Sequence, residues 1–278
     1  MKYLIFGANG QLGSKFAEEF TLNGVDFSAY GSDECNISEY NEVKEVLQAD
    51  KPSVILNCAA YNLVDQAEIN NVPAFLVNQK GAENIAKAAE VDKTFFVHFS
   101  TDYVFDGTKG TSYTELDRTN PINEYGKSKL AGENIISDIL DNYLIFRLSW
   151  VYGKGRRNFI FKLLQWASTN NSINITSNET SIPSSTDMIV SATINAIKAG
   201  LNGLYHLTPN GKASRFEWAK EVVRHLSLKV QLNPVEIEHF NLPAKRPPDT
   251  SMSNNILSKE IGEFHDWKYY LRGFLTEV

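Results

Sequence analysis

The chain opens on a short apolar run, Lys2–Phe6, that stops at Gly7-Ala-Asn-Gly10-Gln-Leu-Gly13 and passes directly into a helix-period stretch, Gln11–Asn23. Strand, glycine turn and helix in immediate succession leave few ways to fold. The turn has to be tight, and the helix has to pack back on its strand. Its N-terminus then faces outward from the strand end. Glycine permits such a turn and lets a pyrophosphate approach the amides that begin the helix. The spacing here is G-x-x-G-x-x-G, whereas the usual fingerprint is G-x-G-x-x-G. The position after an N-terminal strand and before a helix is the context that makes the segment a dinucleotide-binding loop.

The first half continues the alternation. Asp26–Tyr30, Ser53–Cys58, Thr94–Phe99 and Tyr143–Leu148 read as buried strands, short and rich in branched and aromatic residues. Between them, Tyr40–Ala49, Pro73–Ala89 and Glu124–Asp141 carry helical periodicity. Strands alternating with helices imply right-handed crossovers and a parallel sheet covered on both faces. Continuous apolar strands such as Val54-Ile-Leu fit that double burial. The expected class is α/β, a doubly wound parallel sheet of Rossmann type.

The second half is less regular. Phe159–Thr169 and Ser185–Ala199 read as helices and Leu204–His206 as a strand. Ser214 followed by Glu217 is a capping box that opens a helix over Arg215–Leu226. The proline-rich run Asn241–Asp249 breaks regular structure. Residues 1–150 are therefore expected to form a dinucleotide-binding domain, with chain returning to it at about 185–210. Residues 151–184 and 211–278 are expected to form a smaller C-terminal substrate-binding lobe.

Charge and cysteine usage exclude several classes. A net charge of −6 over 278 residues gives no reason to expect nucleic acid as a partner, because phosphate backbones call for a basic face. No run approaches the roughly 18 apolar residues of a membrane helix, and the opening Met1–Gly7 does not read as a signal peptide. Two cysteines, Cys35 and Cys58, read as reduced thiols of a cytoplasmic protein. Neither a C-x-x-C pair nor a histidine cluster is present, so no metal site is expected.

The chemistry concentrates in Tyr125-Gly-Lys-Ser-Lys129. On a helix this spacing puts a phenol and an ammonium on one face. A lysine beside a tyrosine favours the phenolate, which suits the pair to exchange a proton with a carbonyl or alcohol oxygen. Three strand ends join it: Asn57-Cys-Ala-Ala-Tyr61, Ser100-Thr-Asp-Tyr-Val-Phe105-Asp-Gly and Arg147-Leu-Ser-Trp150-Val-Tyr152-Gly153. In a parallel α/β sheet, ligands bind outside the carboxyl ends of the strands, so these segments share one crevice.

Taken with NLVDQAE, VNQKGAENIAKAA, PINEYGKSKLAGE, GLYHLTPNG and AKRPPDTSMS, these motifs resemble the extended short-chain dehydrogenases/reductases. Within them the chain is similar to the dTDP-4-dehydrorhamnose reductases. The resemblance implies a catalytic triad of Thr101, Tyr125 and Lys129. Tyr125 would protonate the C4 carbonyl oxygen of a nucleotide-linked 4-keto-6-deoxy sugar as hydride arrives from NADPH or NADH, and Thr101 would hydrogen-bond that oxygen. Lys129 would lower the phenol's pKa and hold the nicotinamide ribose. Gly7, Gly10, Gln11, Leu12 and Gly13 would meet the pyrophosphate. Ala59, Ala60, Tyr61, Asn78 and Ser100 would line the rest of the cofactor site, and Asp102, Tyr103 and Trp150 would face the sugar. The product would be dTDP-L-rhamnose, a precursor of polysaccharide. A homodimer is compatible with the resemblance.

Some positions depart from it. The acid that would read the adenine ribose is not at the end of the second strand; Tyr30-Gly31-Ser32-Asp33-Glu34 stands there. With Gly31 and Ser32 leaving room and no arginine nearby, the choice of cofactor leans to NADP(H) without excluding NAD(H). Asn178–Ser184 keeps only the proline of the expected D-Q-x-G-x-P-T run, and Asn36-Ile37 replaces an Asp-Ile pair. Lys15 occupies the position of a glutamate that feeds a magnesium site in some members, so no metal is carried over. Alternative readings are a reductase or epimerase of another nucleotide sugar, or a non-catalytic NADP-binding subunit of the kind that regulates methionine adenosyltransferase.

Overall fold

The computed structural model describes residues 1–155 and 158–277; Arg156, Arg157 and Val278, which fall in the expected second lobe, lie outside the described residues. Strand β1 (Tyr3–Phe6) leads to α1 (Gln11–Leu22), β2 (Phe27–Tyr30), α2 (Tyr40–Asp50) and β3 (Val54–Asn57). Then come α3 (Val64–Ile69), α4 (Val72–Phe75), α5 (Ala82–Asp92), β4 (Phe95–Thr101), α6 (Glu124–Ile139) and β5 (Tyr143–Leu148). The remainder holds β6 (Val151–Tyr152), α7 (Phe159–Thr169), β7 (Ser172–Thr176), β8 (Thr180–Ser181), β9 (Ser184–Ser185), α8 (Thr186–Lys198) and β10 (Gly203–His206). It closes with β11 (Ala213–Ser214), α9 (Arg215–His225), β12 (Gln231–Val235), α10 (Asn255–Ile261) and α11 (Trp267–Leu275).

One six-stranded sheet dominates, in the order β10-β5-β4-β3-β1-β2. Its pairings are all parallel. Alternate side chains go to opposite faces, as strand geometry requires. Tyr3, Ile5, Val54, Leu56, Val97, Phe99, Leu144 and Phe146 pack with Phe16 and Phe20 of α1 and Met188, Ile189 and Ala192 of α8. Leu4, Phe6, Ile55, Phe96 and Ile145 pack with Val43 and Leu47 of α2, with α5, and with Ile136 of α6. Both faces are therefore covered, which is why these strands read as continuous apolar runs.

A third core assembles around Trp150, Tyr152, Leu163, Trp218, Trp267 and Leu271. Sequence periodicity locates its longer helices but not its two-residue strands or α11. Those strands carry too few residues for an alternation to show. The expected capping box is present: the Ser214 hydroxyl accepts from the Glu217 amide, and Glu217 returns the contact to the Ser214 amide.

The expected helix over Pro73–Ala89 differs in detail. It is interrupted by a wider π-type turn, Leu76–Gly81, between α4 and α5. Such turns insert a residue to aim a side chain. Here the side chain is Asn78, whose amide accepts from the Tyr61 backbone N–H and donates to the Tyr61 carbonyl, each at 2.9 Å.

A buried ion pair ties three elements behind the cleft. Arg147 at the end of β5 donates through Nε and Nη2 to the Glu133 carboxylate of α6, at 3.0 and 2.7 Å. The guanidinium also lies 5.1 Å from the centre of the Phe105 ring. Together with burial, it pushes the neighbouring His206 of β10 down to about 3. Arg147→Met strands a buried carboxylate and should cost about 3–5 kcal/mol. The double variant with Glu133→Leu should recover most of it, as read from urea unfolding midpoints.

Candidate active site

A cleft of about 660 Å³ opens at the carboxyl ends of the strands. It brings together Gly7, Gly10, Gln11 and Leu12 from the loop and Ala59, Ala60 and Tyr61 after β3. Ser100, Thr101 and Asp102 come from the end of β4, Tyr125 and Lys129 from α6, and Trp150 from beyond β5. Gly13, Asn78 and Tyr103 lie behind its walls. Gly13 packs against the Gly7 carbonyl, where a Cβ would come within 2.3 Å. Asn78 holds Tyr61 and also donates to Ser128 Oγ at 2.9 Å, which uses its amide fully. Tyr103 donates to Glu179 at 2.9 Å.

The loop end is built to receive an anion. Gly7 has φ of +77°, and a Cβ there would sit 2.5 Å from the Ala59 amide, so the loop and the β3 end nearly touch. Helix α1 begins at Gly10 with no side-chain cap and no acid in its first turn. Its leading N–H groups therefore face the cleft without a protein partner, the arrangement that binds phosphate. The buried Ser100 hydroxyl, on the same cleft, also has no partner. Gln11 bridges outward, donating to the Val151 carbonyl at 3.2 Å and accepting from Asn158 at 2.9 Å. At the adenine end Ser32 and Asp33 line the wall, and Asn9 fills the space beside Gly31. These features fit a dinucleotide in extended form.

Tyr125 and Lys129 project from the first turns of α6. Asn123 caps that helix by accepting from the Gly126 amide at 2.8 Å. Gly126 lets α6 approach the Tyr103 backbone, since a Cβ would stand 2.3 Å from that carbonyl oxygen. Burial pushes the Tyr125 phenol up to about 12, against a smaller opposing influence of the Thr101 hydroxyl. The expectation that Lys129 lowers this phenol is not met. The lysine points elsewhere: its Nζ donates to the Phe99 carbonyl at 2.6 Å and lies 3.3 Å from His98 Nε2. Burial brings Lys129 down to about 8.

The far wall comes from the second half of the chain. Asp102 accepts from Thr101 at 3.1 Å, from Ser181 at 2.7 Å and from the Thr250 hydroxyl. Thr101 thus already commits its proton, while its oxygen accepts from the Tyr103 amide at 3.2 Å. Trp150 adopts φ of +39°, costly for an aromatic residue. It lines the cleft and stacks on Trp218 at 5.7 Å and 13°, with the Arg215 guanidinium 3.7 Å from its ring centre. The proline-rich run docks through Arg246, which makes a paired contact to Asp65 at 2.8 and 2.7 Å.

His98, Glu179, Ser181 and Thr250 are among the residues not singled out from sequence. His98 shares a face of β4 with Ser100, and Thr250 lies within AKRPPDTSMS, so both carried a positional signal. Glu179 and Ser181 belong to the stretch that departs from the expected run, which left nothing to match. Lys15, in the place of the glutamate, pairs with Asp187 at 2.8 Å. Among the described residues there is no cluster of three or more His, Cys, Asp or Glu side chains that could hold a metal, and no helix is long and apolar enough to cross a membrane.

A doubly wound parallel sheet with a glycine loop at one end of its cleft and a Tyr-x-x-x-Lys helix at the other defines an extended short-chain dehydrogenase/reductase. The chain belongs to the family described as RmlD substrate binding domain, whose model matches residues 1–278. It is similar to the dTDP-4-dehydrorhamnose reductase of Burkholderia thailandensis, 32% identical over 97% of this chain and 96% of the relative. Among solved structures it is similar to the dTDP-4-dehydrorhamnose reductase from Bacillus anthracis in complex with NADP. The TM-score is 0.97 and the identity 33%, covering 100% of this chain and 99% of the other. The Thermus thermophilus UDP-glucose 4-epimerase complex with NAD shares the fold, with a TM-score of 0.85 at 16% identity over 99% and 98% of the two chains.

Asp102 gives a pH-dependent test. Burial raises its carboxyl to about 6 despite three hydroxyl donors. The folded protein therefore binds a proton more tightly than the unfolded chain, and stability is lost as pH rises from about 3.8 through 6. Asp102→Asn should match the wild type below pH ~4. It should exceed it above pH ~6 by about 3 kcal/mol, at about 1.36 kcal/mol per pH unit. Denaturant unfolding across pH measures the difference, and a gap that stays constant with pH would contradict the assignment.

Proposed function

We propose that this protein reduces the C4 keto group of a nucleotide-linked 4-keto-6-deoxy sugar, converting dTDP-4-dehydro-L-rhamnose to dTDP-L-rhamnose with NADPH or NADH. The observation that carries the reading is the presence of Thr101, Tyr125 and Lys129 on one cleft with an uncapped helix N-terminus at its other end. The names of the relatives support the substrate.

A bound nicotinamide supplies the hydride. The protein's residues do the rest. The first-turn amides of α1 and the Gly7–Gly13 loop would hold the pyrophosphate. The Ser100 hydroxyl and the backbone after Cys58 bound the middle of the cofactor. Tyr125 gives its phenolic proton to O4 as C4 becomes tetrahedral, so a carbonyl becomes an alcohol. A phenol near 12 is a sluggish acid, and a lysine ammonium drawn toward it would stabilise the phenolate left behind. Thr101 can turn its hydroxyl from Asp102 toward O4, and Trp150 forms an apolar wall for the sugar ring.

The direct test is oxidation of NADPH or NADH with dTDP-4-dehydro-L-rhamnose, with the product identified by mass and proton coupling. Loss of the reading would follow from no turnover with either cofactor; tightly held NAD with epimerised product would instead mark an epimerase. Tyr125→Phe should lower kcat by about 10²–10⁴-fold while cofactor binding, followed by fluorescence, stays close to wild type.

Cofactor choice has its own handle. Lys129 is the only cation among the described residues lining the cleft, and Asp33 lines its adenine end. A carboxylate there repels a 2′-phosphate. Asp33→Ser should therefore shift the ratio of dissociation constants toward NADPH by about 5- to 10-fold, corresponding to about 1 kcal/mol of charge repulsion. Titration of each cofactor reads it directly.

A further inference from the structure

The Lys129 amine sits in a closed polar chain that begins at the wall of the cleft. Asn57 at the end of β3 stands in register with His98 on β4. The Asn57 side-chain oxygen accepts from the Ala59 amide at 3.2 Å. Its nitrogen must therefore be the atom that meets His98 Nδ1 at 3.0 Å, and it can only donate. His98 is buried, and burial holds it well below the usual histidine range, in its neutral form. A neutral imidazole has one N–H. With Nδ1 accepting, that hydrogen belongs to Nε2, which lies 3.3 Å from Lys129 Nζ. An ammonium there would oppose N–H to N–H. An amine would accept from His98 and still donate to the Phe99 carbonyl at 2.6 Å.

We propose that His98, locked in one tautomer by Asn57, positions the Lys129 side chain and opposes protonation of its amine. Burial itself lowers Lys129, and His98 adds to it; the neighbouring ionisable groups do not. Cys58, after β3, and Glu133, one turn along α6, both favour the ammonium, and Glu133 is already paired with Arg147 of β5. Tyr125, one turn back, is held neutral by burial. An ammonium at Lys129 escapes the opposing N–H only if His98 moves its hydrogen to Nδ1 and Asn57 turns its amide, which breaks the contact to the Ala59 amide on the cofactor wall. The protonation of the lysine is thereby coupled to the backbone that a cofactor would touch. His98 is a positioning residue, and its consequence for turnover rests on the reductase reading above.

Two measurements test it. In protein with ¹⁵N-labelled histidine, five residues contribute, and the ring that disappears in His98→Gln is assigned. A bare Nδ1 with a protonated Nε2 is expected; a protonated Nδ1 overturns the proposal. Should that variant not fold, Lys129→Met makes the assignment through the displaced Nε2 signal. In protein with ¹⁵N-labelled lysine, the titration of Lys129 Nζ should move upward by about one pH unit in His98→Leu, which removes the opposing N–H. It should return toward wild type in His98→Gln, whose amide can present one again. A downward move, or none, in His98→Leu overturns the proposal. Absence of turnover with any 4-keto sugar nucleotide would sink the reductase reading alone, because the ring spectrum decides the tautomer without activity.

Discussion

Parallel pairing of β4 with β5 is the constraint from which the site follows. Six registered positions, from Phe96 against Tyr143 to Thr101 against Leu148, bring both strands to an end on the same edge. Parallel strands need a crossover, and here it is α6 that returns the chain. That helix must begin above the strand ends, so its first turns overhang them. Tyr125 and Lys129 are on those turns. The pair reaches Thr101 and His98 because the crossover leaves it no other place to start. The Arg147–Glu133 ion pair then pins the same helix to the same strand in the interior, where a loose fit would leave a charge without a partner.

Much of this was legible in the chain. The strand–loop–helix opening, the sheet class and the pairing of Tyr125 with Lys129 follow from local spacing and from the rule that ligands gather at strand ends; the full triad and the residues of the cofactor wall were implied by the family resemblance. Three expectations about individual residues needed the fold. Asn78 lies on a helix whose periodicity is clear, yet only the wide turn at Leu76–Gly81 shows it aimed at Tyr61 rather than into the cleft. Tyr103 belongs to a motif otherwise facing the crevice, but a single 3₁₀ turn, Asp102–Val104, carries it away to Glu179. Gly13 is required for packing against Gly7. In each case the residue type was informative and its direction was not, because direction depends on a contact with a distant segment.

The electrostatics of the site point one way. Tyr125 is raised, Lys129 lowered and Asp102 raised, each chiefly by burial. Every group is pushed toward its neutral form. Burying them costs stability, as is common where chemistry is done.

The contacts that finish the cleft span most of the chain. Arg246 meets Asp65 across 181 positions, and the Thr250 hydroxyl meets Asp102 across 148. Synthesis proceeds from the N-terminus, and domains tend to fold as they emerge. A growing chain can pair β1 through β5 early, but its Asp102 carboxylate would face an unfinished wall until the segment beyond Asn241 is made. The first half is therefore born with a defect that only the last portion repairs. A chain cut short by premature termination would keep its cofactor loop and its Tyr125–Lys129 helix, yet lack the far side of the cleft, so incomplete products would be silent rather than promiscuous.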